Sequence, residues 1–454
     1  MARSATAFDS VMNKAPLAIA AFAAFATVAL LPSPAAGQAA LPPDVEASVV
    51  EIEPLVIDWR RDIHANPELG NREFRTAEMV ANHLRSLGIE VETGVAHTGV
   101  IGVLRGGRPG PTVLLRADMD ALPVTEVLDL PYASNVTTTY NGEEVGVMHA
   151  CGHDTHVAIL MGAASVLAGM REDLPGTVKF MFQPAEEGAP EGEEGGADLM
   201  IREGLLSDPD VDAAFALHVW SQGEVGNLFW VEGGMFASAD AFRIVVRGAQ
   251  THGGYPWDGI DPIAISAQII IALQTIVSRE MKLIDGASVV TVGKIEGGVR
   301  SNIIPDEVTM DGTIRALDPG HRAHIHERVR ALATGIAESM RGTAEVTIPV
   351  GLGYPVTFND PELLRRMIPV LESVAPGRTH ATTPVTGAED FAFVAERVPS
   401  VYIRLGGRPP DVAEEDAPAH HTPDFFIDDS GLGVGVRALV AMTLEYMGVG
   451  EASE

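Results

Sequence analysis

Between residues 45 and 87 apolar side chains recur at intervals of three and four. Ile52, Leu55, Val56, Trp59 and Ile63 form one stripe, which predicts helix. His64-Ala65-Asn66-Pro67-Glu68-Leu69-Gly70 interrupts that pattern, and Leu87-Gly88 ends the second helix with a C-cap signal. Short apolar runs at 100–104 and 112–116 then read as strands, the second leading into Ala117-Asp118-Met119-Asp120-Ala121-Leu122-Pro123. Residues 154–170, rich in Ala and Met, predict a helix. Residues 177–182 predict a buried strand whose C-terminal end delivers Gln183-Pro184-Ala185-Glu186-Glu187. Strands alternating with helices predict an α/β fold with a mostly parallel sheet. Ligands gather at the carboxyl ends of strands in such sheets, where these polar motifs fall.

The pattern changes between about 236 and 345. Residues 242–247 alternate apolar and polar, as an antiparallel strand with one solvated face does. Residues 261–279 and 321–341 carry helical stripes, and 288–292 and 307–315 read as further strands. Two helices on a small antiparallel sheet predict an inserted α+β domain. Helical patterns at 363–374, 391–396 and 431–446 then complete the first domain. The predicted organisation is a leader at 1–40, a catalytic domain at 45–235 and 346–450, and an inserted domain at 236–345. No internal repeat is visible. One biased segment, 186–196, is dense in Glu and Gly and reads as an acidic rim loop.

Composition narrows the function. The chain has 454 residues, 46% hydrophobic and 20% charged, enough for two domains with full cores. Its formal net charge of -31 disfavours nucleic-acid and anionic-lipid partners. Arg3 and Lys14 precede an apolar run at 17–31, followed by Pro32-Ser33-Pro34-Ala35-Ala36-Gly37. A basic start, a short apolar core and a small-residue end predict a secretory signal peptide, hence export to the periplasm or medium; an uncleaved anchor is the alternative. That region has no cysteine, which excludes a lipoprotein anchor. No later run reads as long enough to span a bilayer, so the mature body is expected to be soluble.

The single cysteine lies in His149-Ala150-Cys151-Gly152-His153-Asp154, so no internal disulfide can form. A thiolate and imidazoles suit a borderline or soft divalent ion such as zinc. The adjacent Glu186 and Glu187 offer one carboxylate to bind metal and one to move protons. His156, one turn into the following helix, reads as a packed residue or one that supports a ligand from behind.

Together these stretches resemble the M20 family of metallopeptidases and amidohydrolases, in its branch of N-acyl-amino-acid amidohydrolases, hippurate hydrolases and auxin-conjugate hydrolases. Leu217-His218-Val219, Ser301-Asn302-Ile303-Ile304-Pro305, Gly387-Ala388-Glu389-Asp390-Phe391 and His421-Thr422-Pro423 extend the likeness over residues 45–445. The resemblance implies a di-metal hydrolase domain with an inserted lid and dimerisation domain. It implies five metal ligands, Cys151, His153, Glu187, His218 and His421, for two divalent ions: zinc first, with manganese, cobalt or nickel as alternatives. Glu186 matches the family's catalytic glutamate. His252 matches a lid histidine that reaches the partner subunit's site in family dimers, and Asn302 a position near the substrate. The wider family places a His where this chain has Asp118; this branch does not use that position as a ligand. Asp120 is expected to orient a ligand. Glu389 and Asp390 read as supporting or capping residues. The implied reaction is cleavage of N-acyl amino acids to a carboxylic acid and an amino acid by a homodimer. The alternative is a carboxypeptidase or dipeptidase acting on unmodified peptides. One departure stands out: after His252 the family usually has a second His, where this chain has Trp257, following Tyr255. A non-catalytic binding protein or a metal store would have no need of Glu186 or His252.

Overall fold

The computed structural model describes residues 41–449. The expected leader lies outside them. The helical stripe at 45–87 becomes two helices, Pro43–Ala65 and Phe74–Ser86. The first buries Val45, Val49, Val56 and Ile63. Gly88 closes the second with a left-handed φ of 70°, a conformation that glycine adopts without steric cost.

The main sheet has eight strands. Their order across it is Glu90–Val95, Gly99–Arg105, Pro175–Gln183, Arg108–Asp118, Ala213–Glu224, Ser400–Arg408, Leu228–Trp230 and Thr379–Ala381. The four central strands from Pro175–Gln183 to Ser400–Arg408 are mutually parallel, and antiparallel pairs flank them. Helices Pro43–Ala65, His153–Gly169 and Leu432–Tyr446 contribute Val56, Leu160, Val436 and Leu439 to one core. A second core includes Met181, Met200, Phe391 and Tyr402.

A separate four-stranded antiparallel sheet runs Ser288–Gly297, Glu307–Ala316, Asp240–Arg247, Thr343–Thr347. Period-two alternation in Asp240–Arg247 turns Phe242, Ile244 and Val246 inward. Helices Pro262–Thr275 and Pro319–Ser339 meet them with Ile265, Ile269, Leu273, Ile325 and Val329. Each helix starts on an aspartate, Asp261 or Asp318, whose carboxylate accepts backbone N–H groups of the first turn.

Three expectations need correction. The α-helix read at 261–279 ends at Thr275 and continues as a five-residue π turn, Ile276–Glu280. Contrary to the reading that no later run is long enough, the combined 19 residues Pro262–Glu280 meet the length and apolarity needed to cross a bilayer. Their apolarity has another use here, since Ile265, Ile269, Leu273 and Ile276 pack on the small sheet. The helix read at 391–396 is a single turn, Ala392–Ala395, and the strand Ser400–Arg408 that follows had no counterpart in the sequence reading.

Candidate active site

The carboxyl ends of the central strands converge on one cavity of about 410 Å³, lined among others by Cys151, Glu186, Glu187, His218, His420 and His421. Each arrives by a short backbone device. Gly152, at φ 90°, turns the chain between Cys151 and the helix that begins at His153. A side chain there would collide with Val219 Cγ2. After the strand Pro175–Gln183, Ala185 adopts φ 50°, and the two glutamates follow. His218 lies within Ala213–Glu224, paired in register with Arg404 of Ser400–Arg408.

Hydrogen bonds assign the imidazoles. His153 Nδ1 lies 3.1 Å from Asp120 Oδ1, while its Nε2 is buried without a hydrogen-bond partner. His218 Nδ1 donates to the Val219 carbonyl at 2.6 Å, and its Nε2 is 3.4 Å from Cys151 Sγ. In both rings one nitrogen is held by an oxygen and the other faces the cluster, the arrangement of metal-ligating histidines. His156 is spent: its Nε2 accepts the Val219 N–H at 2.9 Å and its Nδ1 meets Asp118 Oδ1 at 2.5 Å. It packs, as read.

His420 and His421 divide. His420 Nε2 accepts the Ser221 N–H at 3.3 Å, so its Nδ1 carries the proton, 3.6 Å from Cys151 Sγ. His421 Nε2 lies 2.9 Å from Glu187 Oε1, yet that oxygen is buried without an aligned donor. Asp120 ties the groups together, since its second oxygen accepts the Glu187 N–H at 3.0 Å. Ligand atoms of Cys151, His153 and Glu187 all lie within 4.8 Å of one another, and so do those of Asp118, His153 and Glu186.

The electrostatics are those of a cation site. Burial, with Glu389, Glu187 and Asp390 nearby, pushes the Glu186 carboxyl well above its usual range. Burial and the same two glutamates, Glu187 and Glu186, push the Cys151 thiol up. Burial should depress His153, but Asp118 and Asp120 overcome it and raise the imidazole to about 10. Arg116 neutralises the acids beneath, with contacts of 2.7 Å to Asp118 and Glu389 and 3.2 Å to Asp390. The Asp390 N–H donates to Glu186 Oε1 at 3.3 Å. Thiol, imidazole and carboxylate donors crowd together, and two inward-facing atoms, His153 Nε2 and Glu187 Oε1, are orphaned. Buried polar atoms are ordinarily partnered; divalent ions would satisfy these, so the residues fit the implied metal.

His252 and Asn302 stand elsewhere. They lie on the paired two-residue strands Thr251–His252 and Ile303–Ile304 and the turn before the latter. Gly253 N–H donates to the Asn302 carbonyl at 2.8 Å. Both side chains are exposed, and neither lines the cavity. Tyr255 and Trp257, 55% and 69% exposed, continue an aromatic row from His252. The sequence reading missed Arg404 and gave His420 no role. Arg404 lies on the strand after Pro399, whose short apolar run Val401-Tyr402-Ile403 does not separate strand from helix.

Comparison with known proteins agrees with this geometry. Residues 114–445 match the family described as Peptidase family M20/M25/M40. "Thermostable carboxypeptidase 2" of Saccharolobus solfataricus is 40% identical over 88% of this chain and 97% of its own. "N-acetylcysteine deacetylase" of Bacillus subtilis is 36% identical over 84% of this chain and 93% of its own. The crystal structure of the Bacillus subtilis YXEP protein, described as a dinuclear metal-binding peptidase of the M20 family, superposes with a TM-score of 0.70 at 32% identity. It covers 87% of this chain and 98% of its own. The chain therefore belongs to peptidase family M20/M25/M40 and is a metal-dependent amide-bond hydrolase of that family.

Proposed function

We propose that the enzyme hydrolyses the amide bond of N-acyl amino acids to a carboxylic acid and a free amino acid. Two divalent ions, zinc first among manganese, cobalt and nickel, would be held by Cys151, His153, Glu187, His218 and His421. The observation that carries this reading is the convergence of ligand atoms of Cys151, His153 and Glu187 within 4.8 Å, with His153 Nε2 buried and without a hydrogen bond, beside the buried Glu186. When bound, the ions supply a Lewis acid for the amide carbonyl and favour ionisation of the attacking water. Glu186 accepts the water's proton and passes it to the leaving amine. Asp120 holds His153 and the Glu187 backbone in place. His252 of a second copy would stabilise the oxyanion, and Asn302 beside it would contact substrate.

A homodimer fits the surface of the small sheet. Its edge strand Ser288–Gly297 exposes Val289 and Ile295 at 38% and 50%, and the neighbouring helix exposes Ile271 at 64%. The N-terminal composition supports export. A second reading, carboxypeptidase action on unmodified peptides, is favoured by the name of the 40% identical Saccharolobus solfataricus relative.

The test is a hydrolysis screen of N-acyl amino acids and dipeptides with each metal restored to chelated enzyme, run beside two variants. Glu186→Gln should retain metal and lose roughly 100- to 10,000-fold in kcat. Glu187→Gln should lose metal. If metal analysis reverses the two, the adjacent glutamates exchange roles.

A further inference from the structure

Three arginines lie deeply buried in the main body. Arg60 is paired with Asp154 at 3.0 Å and Asp429 at 3.3 Å, and Arg116 with Asp118 and Glu389 at 2.7 Å. Arg404 has no such partner. It is 5% exposed, makes no side-chain hydrogen bond or ion pair among the described residues, and its Nη2 is buried and unsatisfied. Burial without a counter-charge pulls its pKa below the usual arginine value. An isolated buried cation is costly, so a position that keeps one calls for an anion. The surroundings prepare this group to bind. The guanidinium lies 5.3 Å from the Trp220 ring centroid and 5.2 Å from that of Phe236, two aromatic faces that favour the cation and restrain its plane. Arg404 lines the same cavity as Cys151, Glu186, Glu187 and His218, and stands opposite His218 in the strand register.

We propose that Arg404 is the anion receptor of the active site and binds the α-carboxylate of the amino-acid half of the substrate. The inference rests on the reading of the enzyme as an N-acyl-amino-acid hydrolase. A planar guanidinium matches a carboxylate with two parallel N–H···O bonds. The α-carboxylate is the one charged group common to all such substrates, and a fixed receptor serves a feature that does not vary. Trp220 and Phe236 then form the apolar wall beside it.

The test compares wild-type enzyme with Arg404→Met and Arg404→Lys on three substrates: N-acetyl-L-leucine, N-acetyl-L-leucinamide and N-succinyl-L-leucinamide, whose only carboxylate is on the acyl side. Wild-type enzyme should prefer N-acetyl-L-leucine to its amide by roughly 100-fold in kcat/KM. The preference should collapse through KM in Arg404→Met and return in part in Arg404→Lys, with metal content constant. Equal losses on acid and amide would overturn the proposal, as would a wild type that prefers neither. A loss confined to the succinyl amide would move the receptor to the acyl side and overturn the assignment made here. If wild-type enzyme cleaves none of the three, the functional reading fails by itself and calorimetry decides the receptor. Arg404 stands if N-acetyl-L-leucine binds the wild type more tightly than its amide and Arg404→Met abolishes the difference. It falls if the two ligands bind alike.

Discussion

Two pairs of adjacent identical residues, Glu186-Glu187 and His420-His421, meet different partners, and each pair has a left-handed residue in or beside it, Ala185 at φ 50° and His421 at φ 65°. The His421 N–H is fixed to the Ala150 carbonyl at 2.8 Å. His420 thereby turns toward Cys151 and His421 toward Glu187. The hydrogen bonds set His420 Nδ1 against the Cys151 sulfur and His421 Nε2 against Glu187, and in the proposed site it is His421 that would bind an ion. His421→Ala should therefore lose most of one metal equivalent, whereas His420→Ala should retain metal and lose only part of its affinity; elemental analysis after gel filtration checks both, and equal depletion would refute the distinction. The short motifs around Cys151, Glu187, His218 and His421 were legible because each is local. Arg404 was not, because its meaning lies in what surrounds it: two rings distant in the chain and the absence of an acid.

Among the elements, helices with strong stripes were read to within a few residues, because the stripe itself marks the face that packs on the core. The strand Ser400–Arg408 escaped because it is buried along almost its whole length. A fully buried strand shows no alternation, and its short apolar run does not distinguish strand from helix. The join between helix Pro319–Ser339 and strand Asp240–Arg247 yields a prediction in pH. Asp240 is fully buried, and it takes Arg322 at 2.8 Å and 2.9 Å and His326 at 3.0 Å. Burial works against this carboxylate, but those hydrogen bonds outweigh it and hold its pKa below the ordinary value. A depressed folded-state pKa means stability that is present above the unfolded value near ~4 and lost as pH falls through the folded one. Asp240→Asn should be less stable than wild type at neutral pH, with the gap narrowing below about pH 4. Denaturant melts at several pH values measure it; a gap that widens on acidification would be contrary.

For the whole molecule the exposed His252 and its distance in sequence from the cavity residues place the question of assembly first. If two copies share sites, His252→Ala and Glu186→Gln homodimers should each be nearly inactive, and subunit exchange between them should restore activity. In an equal mixture half the dimers are mixed and each has one intact site, so about a quarter of wild-type activity should return. No recovery after demonstrated exchange would confine His252 to its own chain.

The position of Ser400–Arg408, between Ala213–Glu224 and Leu228–Trp230, has a consequence for synthesis. Until the ribosome has released that segment, the nascent chain holds an open slot in the middle of its sheet, flanked by two unpaired edges, and unpaired edges invite intermolecular pairing. The four strands of the small sheet, by contrast, come from one continuous stretch with its own core, and can close early. A chain stopped at residue 395 should therefore precipitate, while limited proteolysis of whatever stays soluble should leave a resistant piece spanning about residues 240–347. If the protein is exported, as proposed, this late closure would keep the chain open to threading through a membrane until Ser400–Arg408 has emerged.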